Sequence, residues 1–234
     1  MRAFLAGASG AIGRQLVPLL VAEGQIVAGT TRSESKAAML RDLGAEPVVI
    51  DVYDAAALRE AVVAFAPDLV MHQLTDLPDD PAEIASYGAA NARIRDEGTA
   101  NLIAAARAAG ADRFLAQSIA FIPGGGPESR ERHERQVLDH GGVVLRYGMF
   151  YGPGTYHETD KPEDGSPRIE VGEAARRPHD YLVAPGGVVV MVVVLSVGDF
   201  DPPAGDKSAN TAPRCAGLRA PQTLIVITSP SWTT

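Results

Sequence analysis

Residues 1–13 read MRAFLAGASGAIG, and the fold turns on how they are read. The short, largely apolar run Arg2–Ala6 predicts a strand. Three glycines spaced G-x-x-G-x-x-G follow at Gly7, Gly10 and Gly13, and the small and apolar residues Ala11–Ala22 predict a helix. Strand, glycine turn and helix in that order make the phosphate-binding unit of a doubly wound α/β sheet. The first glycine permits the tight turn, the second lets backbone approach a diphosphate, and the third lets helix and strand pack closely. The turn and first helical residues Gly7, Ser9, Gly10, Ala11, Ile12 and Gly13 are therefore cofactor-binding candidates, their N–H groups aided by the helix dipole. The competing reading is an ordinary structural turn, and the flanking strand and helix favour the nucleotide site.

Working outward, the alternation continues. Strands are predicted at Gln25–Thr30, Glu46–Ile50, Asp68–His72, Arg113–Ala116 and Gly142–Arg146. Helices are predicted at Glu34–Leu43, Ala55–Ala66, a long region Glu83–Ala109, and Glu128–Asp139. Short β-branched or apolar runs alternating with Ala-rich helices specify a Rossmann-like parallel sheet with helices on both faces. After about Pro153 the regularity fails. The tail holds one nearly continuous apolar run, Val188–Val197, which suits a buried strand, a second run at Leu224–Ile227, and a short helix near Val171–Arg177. The expected organisation is a dinucleotide domain over 1–155 and a reduced or divergent, partly irregular substrate-side region over 156–234.

The second strand ends Gly29-Thr30-Thr31-Arg32-Ser33, with Lys36 close behind. A dinucleotide with a free ribose 2′-hydroxyl is usually met there by Asp or Glu. Arg32 instead stands nineteen residues past Gly13. Arg32, Ser33 and Lys36 suit a 2′-phosphate, which favours NADP over NAD. The alternative is a solvated helix start with Ser33 as N-cap. Asp51 is expected near the adenine amine with Val52 beside the ring, and Leu74 and Thr75, after the fourth strand, near ribose and nicotinamide. His72 lacks any metal-ligand spacing and reads as a core histidine, so no metal site is expected.

Composition narrows the class. A 234-residue chain that is 46% hydrophobic and 21% charged can bury a substantial core. A formal charge of −8 argues against a nucleic-acid partner. One cysteine, Cys215, excludes an intramolecular disulfide and a cysteine-based metal cluster. With no signal-peptide pattern and no apolar run long enough to span a bilayer, no membrane association and a cytoplasmic location are expected.

For chemistry, Ser118 closes the fifth strand, where a hydroxyl would orient a substrate oxygen. Tyr147 and Tyr151, in RYGMFYGPG after the sixth strand, are candidate proton donors.

These motifs together resemble the NAD-dependent epimerase/dehydratase family, the extended branch of the short-chain dehydrogenases/reductases. The resemblance rests on GASGAIG at 7–13, TRS at 31–33, Asp51-Val52 and PDLVMHQLT at 67–75. It extends through NARIRDEGTANLIAAARAAG at 91–110 and AQS at 116–118 to LRYGMFYGPGT at 145–155. It implies hydride transfer between nicotinamide and a small polar hydroxyl or carbonyl substrate. It also implies that Asn101 ties the long helix to the cofactor-side strands, that Gly152-Pro153 lies near the nicotinamide, and that the chain forms a homodimer through its long helices.

The family's Tyr, assisted by a Lys four residues on, is missing: no tyrosine or lysine occurs between Ser118 and Asp139. If Glu134 matches the glutamate following that lysine, the Lys position falls on Arg130 and the Tyr position on Gly126. Arg130 stays protonated and is no base. His133 is expected to be solvated on its charged helix. His179-Asp180 is at most an echo of the family's C-terminal motif. The readings left open are an atypical NAD(P)-dependent enzyme, a non-catalytic NAD(P)-binding sensor, and an inactive, truncated family member.

Overall fold

The computed structural model describes residues 1–121, 128–162, 166–178, 186–193 and 223–228. The first six strands are β1 (Arg2–Ala6), β2 (Ile26–Thr31), β3 (Glu46–Val49), β4 (Leu69–His72), β5 (Arg113–Ile119) and β6 (Val143–Tyr147). They run parallel in the order β3-β2-β1-β4-β5-β6. Between them lie α1 (Ala11–Ala22), α2 (Glu34–Asp42), α3 (Ala55–Phe65), α4 (Gly88–Arg93), α5 (Thr99–Ala109) and α6 (Glu128–Asp139). The order reverses direction between β1 and β4. In such sheets the crevice at the strands' carboxyl ends opens at that switch point.

Side chains alternate faces along each strand, so one sheet feeds two cores. Leu5, Met71, Leu115 and Leu145 pack with Ile12, Leu16 and Leu20 of α1 on one face. Phe4, Val70, Phe114 and Val144 pack with Leu58 and Val62 of α3, Leu102 of α5 and Val137 of α6 on the other. Each fully buried side chain of this size contributes about 1.5–3 kcal/mol. The doubly wound α/β class read from the alternation is the class observed.

The expected single helix over 83–109 is instead a composite. A 3₁₀ turn, Pro81–Tyr87, leads into α4; a π turn, Ile94–Gly98, then leads into α5. The π turn brings Asp96 against α6, where Arg132 donates to its carboxylate at 2.8 Å and Gln136 to its carbonyl at 3.3 Å. Wide turns of this kind interrupt helices where neighbouring elements demand a local re-aiming.

The sheet continues beyond residue 155. β7 (Met149–Tyr151) pairs in parallel with β8 (Arg168–Glu170), and α7 (Val171–Arg176) packs on α1. β9 (Gly187–Val193) lies parallel to β6, and β10 (Thr223–Thr228) lies antiparallel to β9. The Val-rich run is therefore a strand over part of its expected length, and Leu224–Ile227 falls within β10. Gly126, Cys215 and His179-Asp180 lie outside the described residues.

Candidate functional site

The first turn separates what the fold requires of its glycines from what a ligand would require. Gly7 has φ +89°, and a Cβ there would stand 2.7 Å from the Gln73 carbonyl oxygen. A Cβ on Gly13 would stand 2.3 Å from the Gly7 carbonyl oxygen. Gly10 is different. Its backbone is extended (φ −79°, ψ 177°), and a Cβ would meet only the Gly7 oxygen, at 3.3 Å. Gly10 is the N-cap of α1, and no side chain caps that helix. Uncapped N–H groups and bare backbone are what a diphosphate needs, so the residues present fit a dinucleotide.

Hydroxyls at the end of β2 brace this turn. Thr30 Oγ1 accepts from the Gly7 N–H at 3.0 Å. Thr31 Oγ1 accepts from the Ser9 hydroxyl at 3.2 Å and from the Ser33 N–H at 3.2 Å. An open cleft follows, lined by Gly7, Ser9 and Gly10, by Thr30–Arg32, by Ile50 and Val52, and by Leu74 and Thr75. Seven residues singled out from the sequence thus share one cleft: Gly7, Ser9, Gly10, Arg32, Val52, Leu74 and Thr75. Ala11, Ile12, Gly13, Ser33, Lys36 and Asp51 do not line it. Ile12 is a core side chain, Lys36 is exposed, and Asp51 Oδ1 accepts from the Tyr53 N–H at 3.0 Å. Ser33 is the N-cap of α2 by position, but it makes no capping bond; its hydroxyl pairs with that of Ser35 at 2.7 Å.

Sequence reasoning passed over Thr30, Thr31 and Asp76. Threonines at a strand end are ordinary β-formers, and nothing local marks them as braces. Asp76, beyond Thr75, pairs with Arg32, with Nη2 to Oδ1 at 3.3 Å. Nearby, the Arg93 guanidinium stacks 3.8 Å from the Tyr53 ring centroid. Burial, and then the Asp76 charge, push the Tyr53 hydroxyl up from its ordinary pKa. Asn101 Nδ2 donates to the Val52 carbonyl at 3.0 Å, tying α5 to the cofactor-side loop.

On the other half of the crevice, Ser118 is only 5% exposed, and its hydroxyl donates to Glu134 Oε1 at 2.6 Å. Arg146 grips the same carboxylate bidentately, Nε at 2.8 Å and Nη2 at 2.5 Å. Burial pushes Glu134 up, but the hydrogen bonds from Arg146 and Ser118 outweigh it and hold the carboxyl below its ordinary range. With its proton on Glu134, Ser118 has lone pairs left to offer. Arg130, at the position matched to the family's lysine, donates to the Phe121 carbonyl at 3.2 Å.

The two tyrosines separate sharply. Tyr147 is 1% exposed within the α1-side core, and its hydroxyl lies beside the Gln73 amide without a hydrogen bond. Burial raises its pKa far above the ordinary phenol value. Tyr151 is half-buried on β7, with the Lys161 ammonium 5.4 Å from its ring centroid. The loop after it is tied to two distant parts of the chain. Arg14 of α1 donates to the Gly154 carbonyl at 3.4 Å, and the Tyr156 hydroxyl donates to the Pro78 carbonyl.

His133 corrects the expectation of a solvated side chain: it is buried, as is His72. Their rings meet edge to face, with centroids 5.3 Å apart. The end groups of the chain they form fix its protons. The Leu74 N–H only donates, here to His72 Nδ1 at 3.2 Å, and the Gln117 carbonyl only accepts, here from His133 Nε2 at 2.8 Å. His72 Nε2–H therefore donates to Thr99 Oγ1 (3.1 Å), which donates to His133 Nδ1 (2.8 Å). Gln117 Nε2 closes the circuit on the Leu74 carbonyl at 3.0 Å. Burial lowers both imidazole pKa values, so both rings are neutral, and the circuit clamps Leu74 at the cleft wall.

A glycine turn at the switch point of a doubly wound sheet, opening on a cleft between the ends of β1, β2, β3 and β4, defines a dinucleotide-binding domain. The model of the NAD(P)H-binding family matches residues 7–142, and the chain belongs to that family. It is an NAD(P)-binding protein, similar in sequence to two Streptomyces reductases. It is 42% identical over 188 residues to the 3-diazoavenalumate denitrifying reductase of a Streptomyces species, covering 68% of this chain and 60% of that protein. It is 30% identical over 172 residues to the dTDP-4-dehydrorhamnose reductase of Streptomyces griseus, covering 65% and 51%. The chain thus spans between half and two thirds of the length of these relatives. In fold it is similar to the UDP-glucose 4-epimerase of Thermus thermophilus, crystallised with NAD. That match has a TM-score of 0.67 at 20% identity and covers 82% of this chain and 78% of that one.

Proposed function

We propose that this chain is the cofactor-binding part of an NADPH-dependent reductase acting on a small polar carbonyl substrate. The observation that carries the reading is the glycine turn opening beside Arg32 at the end of β2. Arg32 lines the cleft, so a 2′-phosphate would meet its guanidinium there; Ser33 and Lys36 follow at the start of α2, outside the lining. Both relatives described above are named as reductases, which supports the direction of the reaction.

A bound nicotinamide supplies hydride to the substrate carbon. The chain's own residues deliver a proton to the oxygen. Ser118 has its one proton on Glu134, which Arg146 holds in turn, so its lone pairs would accept from the hydroxyl of the alcohol product and position it. Tyr151 is the proton donor, because Tyr147 is enclosed and both nitrogens of His133 are engaged. The assay is NADPH oxidation against a panel of small ketones, aldehydes and keto-sugar nucleotides. Turnover is expected in the full chain, with kcat lowered about 10²-fold or more in Tyr151→Phe. Unchanged kcat in that variant removes Tyr151 from the mechanism.

A second reading, a dinucleotide-binding sensor without turnover, is favoured by one observation. α6 carries neither Tyr nor Lys, and Arg130 at the matched position bonds only backbone among the described residues. NADPH binding without oxidation across the whole panel selects it.

A further inference from the structure

Arg32 is the side chain offered to a 2′-phosphate, and it is already engaged. Its side chain is 62% exposed and able to swing, whereas the Asp76 side chain is 18% exposed. The two ends of the pair are therefore unequal. Asp76 lies on backbone that is held: its N–H donates to Asn91 Oδ1 at 3.3 Å, and two residues on Pro78 accepts from Tyr156. Arg32 follows β2 with no other ionic or hydrogen-bonding partner for its side chain among the described residues. Asp76 follows Thr75 in the chain and pairs with Arg32, both of which line the cleft, so the carboxylate borders the pocket although it does not line it.

We propose that Asp76 sets the nicotinamide-cofactor selectivity of this pocket, by holding Arg32 as a counter-ion that a 2′-phosphate must displace. A dinucleotide with a free 2′-hydroxyl needs no such displacement and leaves the pair intact. Asp76 thus lowers the preference for the phosphorylated cofactor that Arg32 creates and keeps both forms within the pocket's range. The inference rests on the reading that Arg32 receives the 2′-phosphate. Its size is bounded by physics: exposed ion pairs are weak, so releasing Arg32 is worth about two- to five-fold in affinity and not orders of magnitude.

The test is a double-mutant cycle on the full chain, with dissociation constants for NADPH and NADH measured by fluorescence titration at low and moderate salt. Thermal melts of each variant establish that it is folded. Asp76→Asn is expected to tighten NADPH about two- to five-fold, leave NADH within about a factor of 1.5, and lose its effect when combined with Arg32→Ala. Added salt is expected to shrink the gain. If Arg32→Ala leaves the NADPH-to-NADH ratio unchanged, the 2′-phosphate reading itself fails. If Arg32→Ala lowers that ratio but Asp76→Asn does not raise it, the role of Asp76 alone is overturned. An equal gain from Asp76→Asn with and without Arg32 also overturns the competition, since the carboxylate would then act on the cofactor directly.

Discussion

Single glycines carry different burdens in the opening turn, and substitutions should expose the difference. Gly13→Ala pushes a methyl to 2.3 Å from a backbone oxygen that has no flexible side chain to yield. It should destabilise the chain by about 1–3 kcal/mol or more. Gly10→Ala meets one contact at 3.3 Å on already extended backbone. It should cost at most about 1 kcal/mol, through the poorer N-cap. Yet it places a methyl where the diphosphate belongs and should weaken dinucleotide binding about tenfold or more, ~1.4 kcal/mol. Urea denaturation and cofactor titration of the two variants check both halves; equal binding by Gly10→Ala and wild type contradicts the assignment. The roles of these glycines were legible because each is a local backbone requirement. Thr30 and Thr31 were not, because their bonds to Gly7 and Ser9 span more than twenty residues of chain.

Among elements, β4, β5, α5 and α6 are locked together by the circuit of His72, Thr99, His133 and Gln117. Thr99→Val keeps the shape, but it leaves one imidazole N–H and one ring nitrogen unpaired in the core. A loss of about 1–3 kcal/mol is expected, with Thr99→Ser restoring most of it. The same circuit sets a pH dependence. The folded-state pKa values of His72 and His133 are depressed by burial, with Arg95 disfavouring further charge on both. The unfolded chain therefore binds more protons, and stability is full above about pH 6.5 and falls as pH drops below it. His140 shifts in the same direction, whereas Glu134 loses its contribution only at lower pH, through the carboxylate range. Urea midpoints flat from pH 8 to 5 would contradict this. The buried state of His133 was hidden in the sequence because its helix, ESRERHERQVLD, is charged nearly throughout. The charges of Arg132 and Arg135 point outward, while His133, Glu134 and Val137 turn in. The π turn was hidden for a related reason: Ile94–Gly98 has ordinary helical composition, and its widening answers contacts with α6.

At the scale of the whole molecule, periodicity revealed the first six strands and their parallel class, since each buried strand is a short apolar run bounded by turns. It did not reveal β7 and β8, which are three residues each and too short for any period to register. The candidate site divides along the same line. Its cofactor half is built from adjacent residues at strand ends and could be read directly. Its other half depends on Glu134 and Arg146 meeting Ser118 from different elements, which only the folded chain brings about. Every role proposed for these residues depends on a bound dinucleotide. Calorimetric titration of the purified full chain with NADPH and with NADH should give one saturable site per chain, tighter for NADPH. A chain that melts cooperatively yet takes up neither cofactor would contradict it.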